Sequence, residues 1–200
     1  MNHNKRADAG IGTLIIFIAM IIVAGITANV LVQTVQSLQN RALHTGEQAR
    51  RAVSTFVETN RVTGVNTSGH SVSDIRMDLK LAPGSDPVDL NSAMVSVDTS
   101  SDGYTYTYSP GDCERGPSGY VIDEIENNGT FTARYLLEGS SHSEGYITRG
   151  DRVELCFGLS EPLREDSNVD IRLEPQVGMS THVSFVSPRI ITSDRVRLYP

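Results

Sequence analysis

Ile11-Gly12-Thr13-Leu14-Ile15-Ile16-Phe17-Ile18-Ala19-Met20-Ile21-Ile22-Val23-Ala24-Gly25-Ile26-Thr27-Ala28-Asn29-Val30-Leu31-Val32 is the stretch that decides the fold. Thirteen of these twenty-two residues are Ile, Leu, Val or Phe, and no charged side chain occurs between Ala9 and Asn40. A helix of about 20 apolar residues is long enough to cross a bilayer. At roughly −0.3 to −0.6 kcal/mol each on the insertion scale, such residues together contribute about −4 to −8 kcal/mol. Gly12, Thr13, Gly25, Thr27 and Asn29 offset only part of this. Lys5 and Arg6 flank the run on its N-terminal side and the next basic residue is Arg41. That asymmetry predicts a membrane-inserted precursor with a cytoplasmic N-terminus and an exported C-terminus.

An ordinary secretory signal has a shorter apolar core followed by a small-residue cleavage site. Here the only such site beyond the core, Val23-Ala24-Gly25, falls where the helical pattern continues. The pair Ala9-Gly10 stands before the apolar run, so a cut between Gly10 and Ile11 leaves the apolar helix at the mature N-terminus. This is the logic of a prepilin. Beyond the span, Val35, Leu38, Ala42, Thr45, Ala49, Ala52 and Phe56 recur in steps of three and four, a heptad-like seam that extends the predicted helix to about residue 58. A single-pass anchor holding an external domain needs no apolar stripe above the membrane. A subunit that packs against copies of itself does, and Ala24 with Ala28 adds a small-xxx-small spacing for close approach.

Arg61 to His70 reads as a polar, Gly-containing connector, which gives a 61–70 linker between a helix at 11–60 and a domain at 71–200. Within that domain Ile75, Met77, Leu79 and Leu81 alternate with Arg76, Asp78 and Lys80, the period of a strand with one buried face. Further strands are predicted over 93–98, 104–109, 120–125, 130–137, 152–157, 169–173 and 181–186, separated by Gly, Pro, Asp and Asn turns. Many short strands and almost no helix indicate a β-sandwich.

The stretch Lys5-Arg6-Ala7-Asp8-Ala9-Gly10 followed by Ile11 to Met20 resembles the leader and mature start of archaeal flagellins (archaellins). Bacterial type IV pilins usually carry an acidic residue at the fifth mature position, where this chain has Ile15. The segments Leu81 to Leu90, Gly150 to Leu155 and Glu174 to Gly178, with the ending at Leu198-Tyr199-Pro200, are similar to archaellins as well. The resemblance implies a 1–10 leader cleaved after Gly10 by a prepilin-type peptidase. It also implies an immunoglobulin-like antiparallel β-sandwich outside a filament, and an assembly platform and ATPase as partners. The filament core would be a bundle of N-terminal helices meeting through Leu14, Phe17, Ile18, Ile21, Ala24, Gly25, Ala28, Leu31, Val35 and Leu38. The function it implies is a structural subunit of the extracellular archaellum, with an adhesive pilin or a non-polymerising membrane-tethered domain as alternatives.

Cys113 and Cys156 are the two cysteines of the chain, and an exported location permits one bridge between them, two free thiols being the alternative. In the strand 152–157, Val153, Leu155 and Phe157 share the apolar face, which puts Cys156 on the other. Asn66-Thr67-Ser68 and Asn128-Gly129-Thr130 satisfy the N-glycosylation pattern, and archaellins are commonly glycosylated.

Nothing in the sequence has the spacing of an active site. His3, His44, His70, His142 and His182 lack HExxH spacing, and there is no nucleophile elbow, CxxC pair or phosphate-binding glycine loop. No enzyme and no cofactor are expected. Arg149-Gly150-Asp151 spells an adhesion tripeptide but sits where a turn must feed the next strand. Asp98, Asp102 and Asp112 have the chemistry for a hard cation without an EF-hand-like loop, so solvated carboxylates are expected and no metal site is assigned. A net charge of −7 excludes a broad basic nucleic-acid face, and loss of Lys5, Arg6 and Asp8 with the leader makes it −8.

Overall fold

The computed structural model describes residues 3–66, 70–100, 102–111, 113 and 129–200. The chain divides into a unit ending at Ala49 and a unit from Arg50 to Pro200. Helix α1 (His3–Ser54) is unbroken over 52 residues. It stops four residues short of the expected end, although Phe56 keeps the heptad spacing. The Phe56 amide donates to Ser85 Oγ at 3.0 Å instead of to a carbonyl one turn back, and the same hydroxyl lies 3.2 Å from the Ser54 carbonyl. The Thr55 carbonyl accepts from the Met179 amide at 2.8 Å. Gly178, at φ +129°, lies against this joint, where an added Cβ would stand 2.9 Å from the Thr55 oxygen. A helix end needs such outside partners for its last carbonyls.

Among the described residues eleven strands follow: β1 (Val57–Asn66), β2 (Val72–Leu81), β3 (Val88–Asp89), β4 (Met94–Thr99), β5 (Gly103–Tyr108), β6 (Thr130–Leu137), β7 (Tyr146–Ile147), β8 (Arg152–Leu163), β9 (Asn168–Glu174), β10 (Thr181–Val186) and β11 (Arg195–Tyr199). Nine of them form one hydrogen-bonded sheet in the order β10-β9-β4-β5-β6-β8-β2-β1-β11, and β3 pairs with β7. Among the described residues every strand pair is antiparallel except β5 with β6, where Thr107 meets Thr130 and Tyr108 meets Phe131 in parallel. The sheet turns over at this parallel seam. Its halves, β11-β1-β2-β8-β6 and β10-β9-β4-β5, enclose a single apolar core, the mostly antiparallel sandwich that the strand pattern predicts.

The core follows from alternation. Ile75, Met77 and Leu79 of β2 stand opposite Phe157, Leu155 and Val153 of β8, all six buried. Val95 and Val97 of β4 meet Leu173 and Ile171 of β9 in the same way. Tyr106 packs on Phe157 with ring centroids 5.0 Å apart.

The expected connector at 61–70 is largely strand. β1 runs to Asn66, so the sandwich begins at Val57 instead of at residue 71. Val57 and Val62 are both buried though five residues apart, a spacing that regular alternation would put on opposite faces. The register jumps between Thr59 and Arg61, so Asn60 is an extra residue in a bulge and the parity of the strand is reset there. Gly64 belongs to this strand for a packing reason: an added Cβ would lie 2.7 Å from Val72 Cγ1. Strand β11, which the strand pattern did not single out, caps the same edge. The expected strand at 120–125 lies outside the described residues.

Cys156 lies on the outer face of β8 as the alternation predicts, and it is bridged to Cys113, 43 residues away. Both half-cystines are buried. Closing a loop of this length contributes about 4 kcal/mol in the chain-entropy account.

The Arg149-Gly150-Asp151 tripeptide is a structural turn. The Asp151 side chain has 0% exposure. It accepts from the Gly139 amide at 2.7 Å, the Thr148 amide at 2.8 Å and the Thr148 hydroxyl at 2.8 Å. Burial pushes its carboxyl up, but these donors outweigh that and hold it below the ordinary carboxylate range. Among the described residues no three His, Cys, Asp or Glu side chains stand together as a metal cluster. Asp112, one of the three carboxylates considered for a cation, lies outside them.

Candidate assembly site

The surface that calls for a partner is α1. Every described side chain from Gly10 to Ser54 is exposed in the single chain. Ile11, Leu14, Phe17, Ile21, Leu31 and Leu38 each present 56–64% of their surface, and Ile18 and Val35 present 49%. Ile15, Ile16, Met20, Ile22, Val23, Ile26, Val30 and Val32 are also exposed, so the lower half of the helix is apolar all round. At about 1 kcal/mol or more for each half-exposed large side chain, leaving this surface in water costs on the order of 10–20 kcal/mol. Lipid or other protein must cover it.

Spacing separates the two coverings. Leu14, Phe17, Ile18, Ile21, Ala24, Gly25, Ala28, Leu31, Val35 and Leu38 recur in heptad steps and form one stripe along the helix. From Gln33 to Asn40 the remaining positions turn polar, with Gln33, Thr34, Gln36, Ser37, Gln39 and Asn40, while Val35 and Leu38 continue the stripe. At Gly25 nothing lies within 4 Å of an added Cβ, so the backbone beside Ala24 and Ala28 is open to close approach. A shallow apolar groove bounded by Ile16, Ala19, Met20, Val23 and Ala24 runs beside it.

The few polar side chains in the apolar half are satisfied locally. Thr13 Oγ1 donates to the Gly10 carbonyl at 2.9 Å, and Thr27 Oγ1 lies 3.0 Å from the Val23 and Ala24 carbonyls. Higher up, Thr34 Oγ1 donates to the Val30 carbonyl at 2.8 Å and Gln33 Nε2 to Asn29 Oδ1 at 3.3 Å. Inside a membrane or a protein bundle, where no water replaces them, such bonds keep hydroxyls and amides from being left unpaired. The Gly10–Ile11 peptide lies within the helix, with both residues exposed. Asn66 is the last residue of β1, and Asn128 lies outside the described residues. The joint formed by Ser85, Thr55 and Gly178 was missed by the pattern of the sequence. Leu81-Ala82-Pro83-Gly84-Ser85 marks a turn, but nothing local says that its hydroxyl meets a helix end 31 residues earlier.

An apolar helix long enough to cross a membrane, followed in the chain by a β-sandwich, is the class of protein that these residues define. The chain matches the family profile of archaeal-type flagellin over residues 7–185. It is 34% identical to flagellin B1 of Thermoplasma volcanium, with 99% of this chain and 94% of that protein covered. It is 41% identical to flagellin A2 of Haloferax volcanii over 86% of this chain and 66% of the relative. Among solved structures it is similar in fold to the archaeal flagellum of Methanospirillum hungatei strain JF1, with a TM-score of 0.69, 13% identity and coverage of 96% and 99% of the two chains. It is also similar to an archaeal flagellin of Methanocaldococcus jannaschii, with a TM-score of 0.64, 18% identity and coverage of 72% and 97%. The chain belongs to the archaeal-type flagellin family.

Proposed function

We propose that this chain is a structural subunit of the archaellum filament and performs no catalysis. The observation that carries the reading is the 45-residue exposed stem from Gly10 to Ser54, in a chain related to flagellins over nearly its whole length. The stem rises about 68 Å at 1.5 Å per residue, more than twice a bilayer core, so part of it extends beyond any membrane that holds it. The precursor rests in the membrane with its N-terminus in the cytoplasm, and a prepilin-type peptidase cuts between Gly10 and Ile11. The freed stem then joins a bundle of identical stems through the stripe from Leu14 to Leu38, and the sandwiches form the outer layer.

Lipid tails are as apolar as Leu, so transfer from bilayer to bundle gains little hydrophobic free energy. Close packing at Ala24, Gly25 and Ala28 supplies attraction, and an assembly platform with its ATPase supplies the drive. A head-to-tail contact that does not close into a ring grows into a helical fibre. Outside the cell, rotation of that fibre drives swimming.

N-terminal sequencing of filaments sheared from cells tests the reading, with Ile11 as the expected first residue. A surface protein that starts elsewhere, or that sediments as a free monomer, overturns it. Loss of attachment with intact swimming in a deletion strain would assign the chain to an adhesive pilin instead.

A further inference from the structure

The outer faces of the two halves of the sandwich carry opposite charge, in a chain whose net charge is −7. On the β11-β1-β2-β8-β6 half, Thr63 stands between Arg197 and Arg76, and Val65 between Arg195 and Asp74. The next row runs Arg61, Asp78, Glu154, Arg134, and beyond it Glu58, Lys80 and Arg152 follow. Among the described residues this face holds seven basic and four acidic side chains.

The charge sum of this face stays positive whatever its internal pairing. Asp78 takes Arg152 at 2.9 Å and Arg61 at 3.4 Å, and Glu154 serves both Arg134 and Arg76. Arg76 is repelled by Arg134 and Arg195 at once, and Arg76 Nε and Arg134 Nε are buried without a hydrogen-bond partner.

The β10-β9-β4-β5 half is the converse. Its outward positions carry Asp98, Asp170 and Glu174 against Arg172, and Asp98 stands directly opposite Asp170. Like charges in facing positions destabilise a sheet. His182 Nε2 lies 2.9 Å from Asp170, and the face remains acidic.

We propose that these faces meet between copies of the chain, the basic face of one sandwich seated on the acidic face of the next. The contact rests on the filament reading above and adds to it a role for the head. Facing charges of opposite sign set orientation and register more than raw affinity, and they disfavour the inverted arrangement that would put like faces together. The contact is heterologous, so where it does not close into a ring it repeats along a fibre.

The sequence offers a direct probe. Lys5 and Lys80 are the two lysines, so once the leader is removed Lys80, on the basic face, carries the single side-chain amine. Sheared filaments treated with a zero-length carbodiimide cross-linker, digested and examined by mass spectrometry should yield an amide between Lys80 and Asp98, Asp170 or Glu174. Within one copy Asp98 and Asp170 lie on the outer face of the other half, so a product with either joins two copies; Glu174 lies near the edge where Thr181 bonds the Val57 carbonyl, and its product alone is not diagnostic. The Lys80–Glu58 pair, 2.9 Å apart within one copy, is the internal control. Recovery of the control product without an Asp98 or Asp170 product overturns the contact.

A salt titration adds a second readout. Arg197→Glu on the basic face should lower the salt concentration that disperses half the filaments about two-fold, because screening acts on a weaker attraction. Arg149→Glu, the same charge change in an exposed turn off both faces, should leave it unchanged, and Thr105→Glu on the acidic face should raise it. Equal shifts for Arg197→Glu and Arg149→Glu overturn the proposal. A wild-type chain that never polymerises would instead sink the filament reading itself.

Discussion

Replacing Gly25 by Leu separates the stability of the stem from its assembly. In the single chain an added Cβ at Gly25 meets nothing within 4 Å, so the larger side chain has room. Leu is a better helix former than Gly by about 0.8 kcal/mol, and its apolar surface favours the bilayer. The precursor should therefore accumulate in membranes at wild-type level or above. In the proposed bundle the same position lies on the stripe between Ala24 and Ala28, where close backbone approach would be the source of attraction. Inserting a side chain into a well-packed contact costs typically about 1–3 kcal/mol. Every subunit in the fibre meets that cost, so it multiplies along the filament instead of diluting. Immunoblots of membranes, yields of sheared filaments, electron microscopy and swim plates read the two sides separately. Full membrane levels with few or no filaments are expected. Normal filaments from Gly25→Leu would refute the claim that small residues set the stem contact. Gly46→Ala, also with open space at the Cβ, should strengthen the helix by about 1 kcal/mol and leave assembly intact.

Three further outcomes concern the head. Burial pushes the Asp74 carboxyl up to about 6, with Arg76 opposing, so stability is unaffected below the ordinary carboxylate range and is lost as pH rises through about 6, where the buried group must ionise. Asp74→Asn should stabilise the solubilised chain at pH 8 by about 1–2 kcal/mol after allowance for partial solvent exposure, and by little at pH 4; an equal effect at both values in denaturant titrations would exclude this cause. Asp151 has the opposite sign: its depressed carboxyl contributes stability above the ordinary carboxylate range that is lost as pH falls through its folded value. Asp151→Asn puts an NH2 group among three donors and should cost roughly 2–3 kcal/mol, seen as a lower thermal midpoint. Changing Cys113 and Cys156 together to Ser should remove up to about 4 kcal/mol, and an unchanged midpoint would mean that the bridge contributes nothing to the folded head.

What the sequence disclosed and what it concealed divide on physical lines. The stem was legible because its signal is compositional and long: charge is absent from Ala9 to Asn40, and the stripe persists above Val32. Strand β2 was legible because one face is buried and the other carries Arg76, Asp78 and Lys80. Strand β1 was not, because the bulge at Asn60 breaks alternation just where Gly64 and polar residues imitate a connector. The outward placing of Cys156 followed from period two, whereas its pairing needed an exported setting and a second thiol. The end of the helix depends on Ser85 and Met179, residues that only tertiary folding brings to it, so the heptad count ran past it to Phe56. The charge separation of the head is equally non-local, since Arg197, Arg76 and Arg134 come onto one face only through the register of five strands.

The local bonding of Thr13, Thr27 and Thr34 to carbonyls of their own helix has a bearing on growth. A rod whose hydroxyls are already spoken for carries no debt of polarity from one greasy surrounding to another, and nothing within it has to rearrange as it moves. On the filament reading proposed above, the cut rod would travel from storage to its final seat without unmaking any of these internal ties.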